Sequence, residues 1–182
     1  MILPIAAYGS PILRKEAELI ESNYPDLSNL IANMYETMYN AKGVGLAAPQ
    51  IGIPISLFII DSEKMEEEGS NAVPIKQTFI NPEIIDFLGE TVPYSEGCLS
   101  IPGINEDVMR KETVRVWYQD ENFEEHETVF SGMPARIIQH EYDHLMGKTF
   151  IDKLSSLKKT LLRGKLRDIS AGRADVAYKM RN

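Results

Sequence analysis

Pro134-Ala135-Arg136-Ile137-Ile138-Gln139-His140-Glu141-Tyr142-Asp143-His144-Leu145-Met146-Gly147 is the stretch on which the fold turns. Pro134 suits the first turn of a helix, Ser131 is placed to cap it, and Gly147 is a good stop. His140 and His144 stand four residues apart, one turn along the same face, so both imidazoles can reach one metal ion. Glu141 sits about 100° round the helix. From there it can lean over the open side of a bound ion without ligating it. Ile137, Ile138 and Leu145 surround these polar residues, so this helix is expected to be buried and central.

Around it the pattern predicts an α+β fold. Residues 25–41 read as a helix with Leu27, Leu30, Ile31, Met34 and Met38 on one face and Gly43 just past its end. Ile55 to Asp61 is a short apolar strand, followed by a Glu-rich surface loop from Asp61 to Gly69. Residues 77–86 form another strand, which Asn81-Pro82 is expected to break. Thr113 to Tyr118 alternates and should pair with Glu127 to Phe130 across a turn near Asp120 to Phe123. A last amphipathic helix, from about Ser155 to Ser170, has Leu157, Leu161, Leu162 and Leu166 as its expected apolar stripe.

At 182 residues the chain is expected to form one domain, residues 1–182, with ordinary hydrophobic (43%) and charged (25%) content. Its first residues make a poor signal peptide, and no stretch is long enough to span a membrane, so a bacterial cytoplasm is the expected compartment. Cys98, the single cysteine, is then a free thiol or thiolate. Charge is divided unevenly. Residues 1–152 hold 10 Lys/Arg against 25 Asp/Glu, while residues 153–182 hold 9 against 2. An acidic body argues against general nucleic-acid binding, and the basic end is a candidate docking element for an anionic partner.

A catalytic divalent site needs three protein ligands and one open position. No Glu follows Glu141, and position 150 is Phe, so two common protease extensions of the His pair fail. Asp152 and Asp168 remain weak candidates. Cys98 is stronger: Gly97 beside it permits close backbone approach, and a thiolate suits a borderline divalent ion. The run Gly43-Val44-Gly45-Leu46-Ala47-Ala48-Pro49-Gln50 lacks the ending of a phosphate loop. Its small residues suit either a surface for an extended peptide or a tight helix-ending loop, and in the first case Gln50 offers an amide donor to a developing oxyanion.

Together, Gly43–Gln50, Glu96–Ser100 and Gln139–Leu145 resemble, in order, the three signature segments of the peptide deformylases. The resemblance runs from about residue 2 to the helix at 155–170. It implies small mixed or antiparallel sheets packed round the central helix, and a helical C-terminus similar to the form of many Gram-negative bacteria. It implies removal of the N-formyl group from the starting methionine of new chains, with one Cys and two His as ligands. These would fall on Cys98, His140 and His144. The ion would be Fe(II) in the cell, with Zn, Ni or Co possible substitutes. Glu141, Gln50 and the Leu99 N–H are then the expected catalytic groups, and Val44, Gly45, Gly97, Ile137 and Arg136 the expected substrate-binding residues.

Three departures stand out. Residues 63–74 look like a longer, acidic insertion, and residues 103–111 vary in the family and border the cleft. Arg136 lies one turn before His140; its stem is expected to line the pocket and its guanidinium to reach water or a carboxylate. Glu96 is expected to pair with Arg110 behind the Cys98 loop, and His126 to be a surface residue without a role. The resemblance also implies that the basic helix could dock on ribosomal RNA. Rival readings are a zinc endopeptidase with Asp152 as third ligand, and a non-catalytic module with a closed metal site completed by His126.

Overall fold

A computed structural model describes residues 1–63, 65 and 73–182. Seven strands and three α-helices are present among them: β1 (Ile5–Ala6), α1 (Leu27–Asn40), β2 (Gly45–Ala47), β3 (Leu57–Asp61), β4 (Lys76–Cys98), β5 (Ile101–Gln119), β6 (Glu125–Ser131), α2 (Gly132–Leu145), α3 (Ser156–Ser170) and β7 (Met180–Arg181). Strands β2 to β6 form one antiparallel sheet in sequence order, and β1 pairs in parallel with β7. This is the expected α+β arrangement. The predicted insertion at 63–74 lies largely outside the described residues.

Strand β3 explains how two cores share one sheet. All five of its residues are buried, and alternation sends Phe58 and Ile60 to one face and Leu57 and Ile59 to the other. On the first face they meet Phe79, Val114, Val116, Phe130 and the α2 residues Ala135, Ile138 and Leu145. On the second they meet Ile31, Met34 and Met38 of α1. Helix α1 stops where Lys42, not Gly43, takes the left-handed conformation (φ 57°).

Strand β4 runs through Asn81-Pro82 where a break was expected. The register shifts between Ile80 and Glu83, a bulge that spares Pro82 a ladder bond. Asn81 adopts φ 50°, and its side chain accepts from Ile20 N (3.0 Å) and donates to Ile20 O (2.8 Å) and Gln119 Oε1 (2.9 Å). Beyond it, β4 and β5 make a long hairpin whose end brings Cys98 opposite Ile101. Residues 103–111 are therefore strand. The predicted pairing of 113–118 with 127–130 is present as β5 against β6.

Helix α2 begins two residues earlier than predicted. Ser131 is at the cap position, but its hydroxyl bonds Thr113 Oγ1 (2.9 Å) instead of the helix N–H groups. Gly147 (φ 66°) ends the segment; a Cβ there would lie 2.7 Å from the Arg14 carbonyl oxygen. Helix α3 is capped by Ser155, which accepts from Lys158 N. Its stripe differs from expectation: Leu162, Leu166 and Ile169 are buried, while Leu157 and Leu161 are 70% and 74% exposed. The i, i+4, i+7 set packs against Ile101, Phe150 and Ile151, and 157/161 lie on a neighbouring face.

Candidate functional site

Three elements converge on α2: the β2 strand with the 3₁₀ turn Ala48–Ile51, the β4–β5 hairpin end, and the helix itself. The i, i+4 spacing places the His140 and His144 rings 5.2 Å apart at 73°. The hairpin brings Cys98 Sγ to 3.3 Å from His144 Nε2. One donor atom from each of Cys98, His140 and His144 lies within 4.8 Å of the others. A tetrahedral ion with ordinary Cys and His bond lengths sets its donors about 3.3–3.6 Å apart, so this donor set fits a divalent ion.

Glu96 sits behind the pair, and it is buried. Its Oε2 lies 2.9 Å from His140 Nδ1. A carboxylate can only accept, so Nδ1 carries the proton and Nε2 is left free for a ligand. Arg110 forks onto Glu96 (Nε–Oε1 2.6 Å, NH2–Oε2 3.0 Å) and reaches Asp143 Oδ2 (2.8 Å), which delivers the predicted Glu96–Arg110 pair. Burial opposes the charge on Glu96, but the hydrogen bonds from His140 and Arg110 outweigh it and hold the carboxyl well below its usual range.

His144 is fully buried; burial pushes its pKa well down, which keeps the ring neutral and able to ligate. Its Nδ1 has no hydrogen-bond partner among the described residues. Burial pushes Glu141 up to about 7, the range in which a carboxyl exchanges protons at neutral pH. Glu141 Oε2 is buried without a partner among the described residues. Gly45 makes room for it: a Cβ at that position would lie 2.4 Å from Glu141 Oε1.

Gln50 is fixed at both ends. Its Oε1 accepts from Ala47 N (2.8 Å), so Nε2 faces Ser100 Oγ (3.2 Å) and Cys98 Sγ (3.5 Å). The cavity beside these groups is about 440 Å³, and Val44, Gly45, Gln50, Gly97, Leu99, Arg136, Ile137 and Glu141 all line it. His144 lies behind that wall. Arg136 donates from its guanidinium to Glu96 Oε1 (2.9 Å), Val108 O (2.8 Å) and Val92 O (2.7 Å). The carboxylate it finds is Glu96, shared with Arg110.

Two expected candidates lie elsewhere. Asp152 is bonded to Arg14 (2.6 Å) and Thr149 N (2.8 Å) and is not among the donors gathered at the His pair. His126 is bonded to Asp120 (2.8 Å) and stacked on Tyr118 at the β5–β6 turn, so it packs locally and is not a fourth donor at Cys98. Sequence reading missed Tyr178, whose hydroxyl donates to Leu99 O (2.7 Å) and whose ring lines the cavity. Nothing local in the sequence marks a contact across 79 residues.

The polypeptide deformylase family profile matches residues 2–160. The chain belongs to that family. It is 53% identical to the peptide deformylase of Christiangramia forsetii and 50% identical to that of Cytophaga hutchinsonii, over 100% of this chain and 96% and 97% of those proteins. Among solved structures it is similar to peptide deformylase from Plasmodium falciparum (TM-score 0.82, 36% identity, 92% of this chain and 95% of that one). It is also similar to a class I type b peptide deformylase from Acinetobacter baumannii bound to Met-Ala-Ser (TM-score 0.78, 38% identity, 85% and 99%). Membership carries the family's activity, metal-dependent hydrolysis that removes the N-formyl group from nascent polypeptides. The endopeptidase reading is not favoured. Among the described residues, no helix is long and apolar enough to cross a membrane.

Proposed function

We propose that Cys98, His140 and His144 hold one divalent ion, Fe(II) in the cell, and that Glu141, Gln50 and the Leu99 N–H carry out deformylation of formyl-methionyl peptides beside it. Zn, Ni or Co would suit the same donors in purified protein. The observation that carries this reading is the convergence of the three donors next to a buried Glu141 oxygen with no partner among the described residues. Such an ion supplies Lewis acidity and makes water nucleophilic at neutral pH. Glu141 takes a proton from the attacking water and later gives it to the leaving amine, so formate and a free amino terminus result. Gln50 Nε2 and the Leu99 N–H hold the charge that develops on the carbonyl oxygen. One such donor is worth about 3–4 kcal/mol.

Strand β2 is an edge strand, so the backbone of Val44 and Gly45 can pair with an extended substrate main chain. Main-chain pairing tolerates varied residues beyond the methionine. Gly97, Ile137 and the aliphatic stem of Arg136 line the pocket for its side chain. Residues 1–182 form one metallohydrolase domain in this reading, working in the cytoplasm. Its basic segment 153–182 offers exposed Leu157 and Leu161 and several Lys/Arg for docking at the ribosome.

The test is formate release from formyl-Met-Ala-Ser by anaerobically metal-loaded protein, alongside metal analysis of Cys98→Ala. Formate production with loss of metal in the variant is expected. Loaded protein that releases no formate, or a Cys98→Ala chain that keeps its metal, overturns the assignment. Ribosome pelleting that is unchanged after deletion of residues 155–182 would remove the docking role.

A further inference from the structure

The segment after α3 folds back onto the site. Ile5 N donates to Lys179 O (2.9 Å) and Ala7 N to Arg181 O (2.8 Å), which clamps β7 against β1. The next residue along, Tyr8, donates its N–H to Ser100 O (2.8 Å). Strand β1 therefore ties residues 179–181 to the turn that joins β4 to β5. Tyr178 adds a direct contact, its hydroxyl on the Leu99 carbonyl at 2.7 Å. Arg181 adds an independent one: its guanidinium lies against Gly52, where a Cβ would come within 0.8 Å of it. Gly52 (φ 79°) closes the 3₁₀ turn that carries Gln50. The returning segment thus touches both loops from which the proposed oxyanion donors come. It lies beyond residue 160, where the family match ends.

We propose that Tyr178 is a positioning residue for deformylation: its hydroxyl fixes the Leu99 carbonyl, and so the Cys98–Ser100 turn that presents the Leu99 N–H. The inference rests on the residue roles proposed above. Leu99 is only half-buried and Gly97 precedes Cys98. Tyr8 N holds the turn at Ser100 O, and a hold on the Leu99 carbonyl, in the peptide next to the one that bears the Leu99 N–H, restricts that N–H through the Leu99 backbone angles. Tyr178 supplies that hold from outside the hairpin, while its ring closes one side of the cavity. It acts through Leu99 and does not itself perform chemistry.

The test compares the metal-loaded full chain with Tyr178→Phe, which keeps the ring and removes the hydroxyl, and with Tyr178→Ala. Amide hydrogen exchange of residues 98–101 is read first, because it does not depend on activity. Faster exchange in Tyr178→Phe is expected. Its kcat on formyl-Met-Ala-Ser should fall about 3–10-fold, the loss of one hydrogen bond, with KM and metal content unchanged. Tyr178→Ala should also raise KM, since the cavity wall opens. Wild-type exchange at 98–101 in the Phe variant, or a kcat loss that only tracks lost metal or a lower Tm, overturns the proposal. A wild-type chain that releases no formate would instead sink the functional reading, while the exchange data still decide whether Tyr178 holds the turn.

Discussion

Glu96 Oε2 lies 2.9 Å from His140 Nδ1, and the same carboxylate receives Arg110 and Arg136. One buried anion thus orients a proposed metal ligand, steadies the strand leading to Cys98, and anchors the turn of α2 before the His pair. Its removal should be felt at each of these places.

Glu96→Gln is expected to weaken metal affinity about 10–100-fold, the usual effect of losing a carboxylate behind a ligating His. It should also cost about 3–5 kcal/mol at pH 7, because the buried Arg136 guanidinium loses its counter-charge and Arg110 keeps only Asp143. The sign of the pH dependence follows from the depressed folded pKa of Glu96. Stability from this group is fully present above the unfolded value of about 4.3 and is lost as pH falls towards the lower folded value. The gap between wild type and Glu96→Gln in apo-protein denaturation should therefore narrow below about pH 4. A gap that widens there would contradict the role given to Glu96.

Glu141→Gln should keep its metal and lose turnover by about 10²–10⁴-fold, the ordinary worth of a positioned acid–base group. Metal analysis and formate release on one preparation check both halves. Near-normal turnover would reassign the proton carrier.

Gly45→Ala places a methyl group where Glu141 Oε1 now sits, 2.4 Å from the added carbon. Overpacking of this kind costs about 1–3 kcal/mol. The larger loss should be in kcat, since Glu141 must swing away. A crystal structure of the variant with Glu141 unmoved and full activity would contradict the close fit.

Arg136→Met keeps the aliphatic stem and removes the guanidinium that meets Glu96, Val108 O and Val92 O. Stability should fall by about 3 kcal/mol or more. KM for formyl-methionyl peptides should change little, because the guanidinium is engaged by Glu96 and two backbone carbonyls. A KM rise of more than tenfold at unchanged stability would place the charge in the substrate pocket.

How much of this was legible beforehand depends on how local each cause is. The His pair, Glu141 and the stop at Gly147 follow from helix spacing alone, and α2 has them in place. Cys98 was reachable because a lone thiol sits in a Gly-bordered turn. Residues 88–112 were not readable as strand. The face that alternates into the interior, Ile104, Glu106, Val108 and Arg110, mixes charged with apolar residues, while Phe87, Leu88 and Met109 face solvent, so the burial period is not written in hydrophobicity. In α3, Leu157 and Leu161 satisfy a helical stripe as well as Ile169 does; only packing against Phe150 and Ile151 chooses between them. The destination of Arg136 and the hydroxyl of Tyr178 are set by partners 40 and 79 residues away, which no local pattern encodes.

The parallel pairing of Ile5-Ala6 with Met180-Arg181 has a consequence for biogenesis. A copy emerging during translation cannot set the Tyr178 wall of its cavity until the residues that pair with β1 have been made, however early the histidine helix coils. Excision of residues 178–181 would strip that wall from the cavity and leave the five-stranded sheet undisturbed.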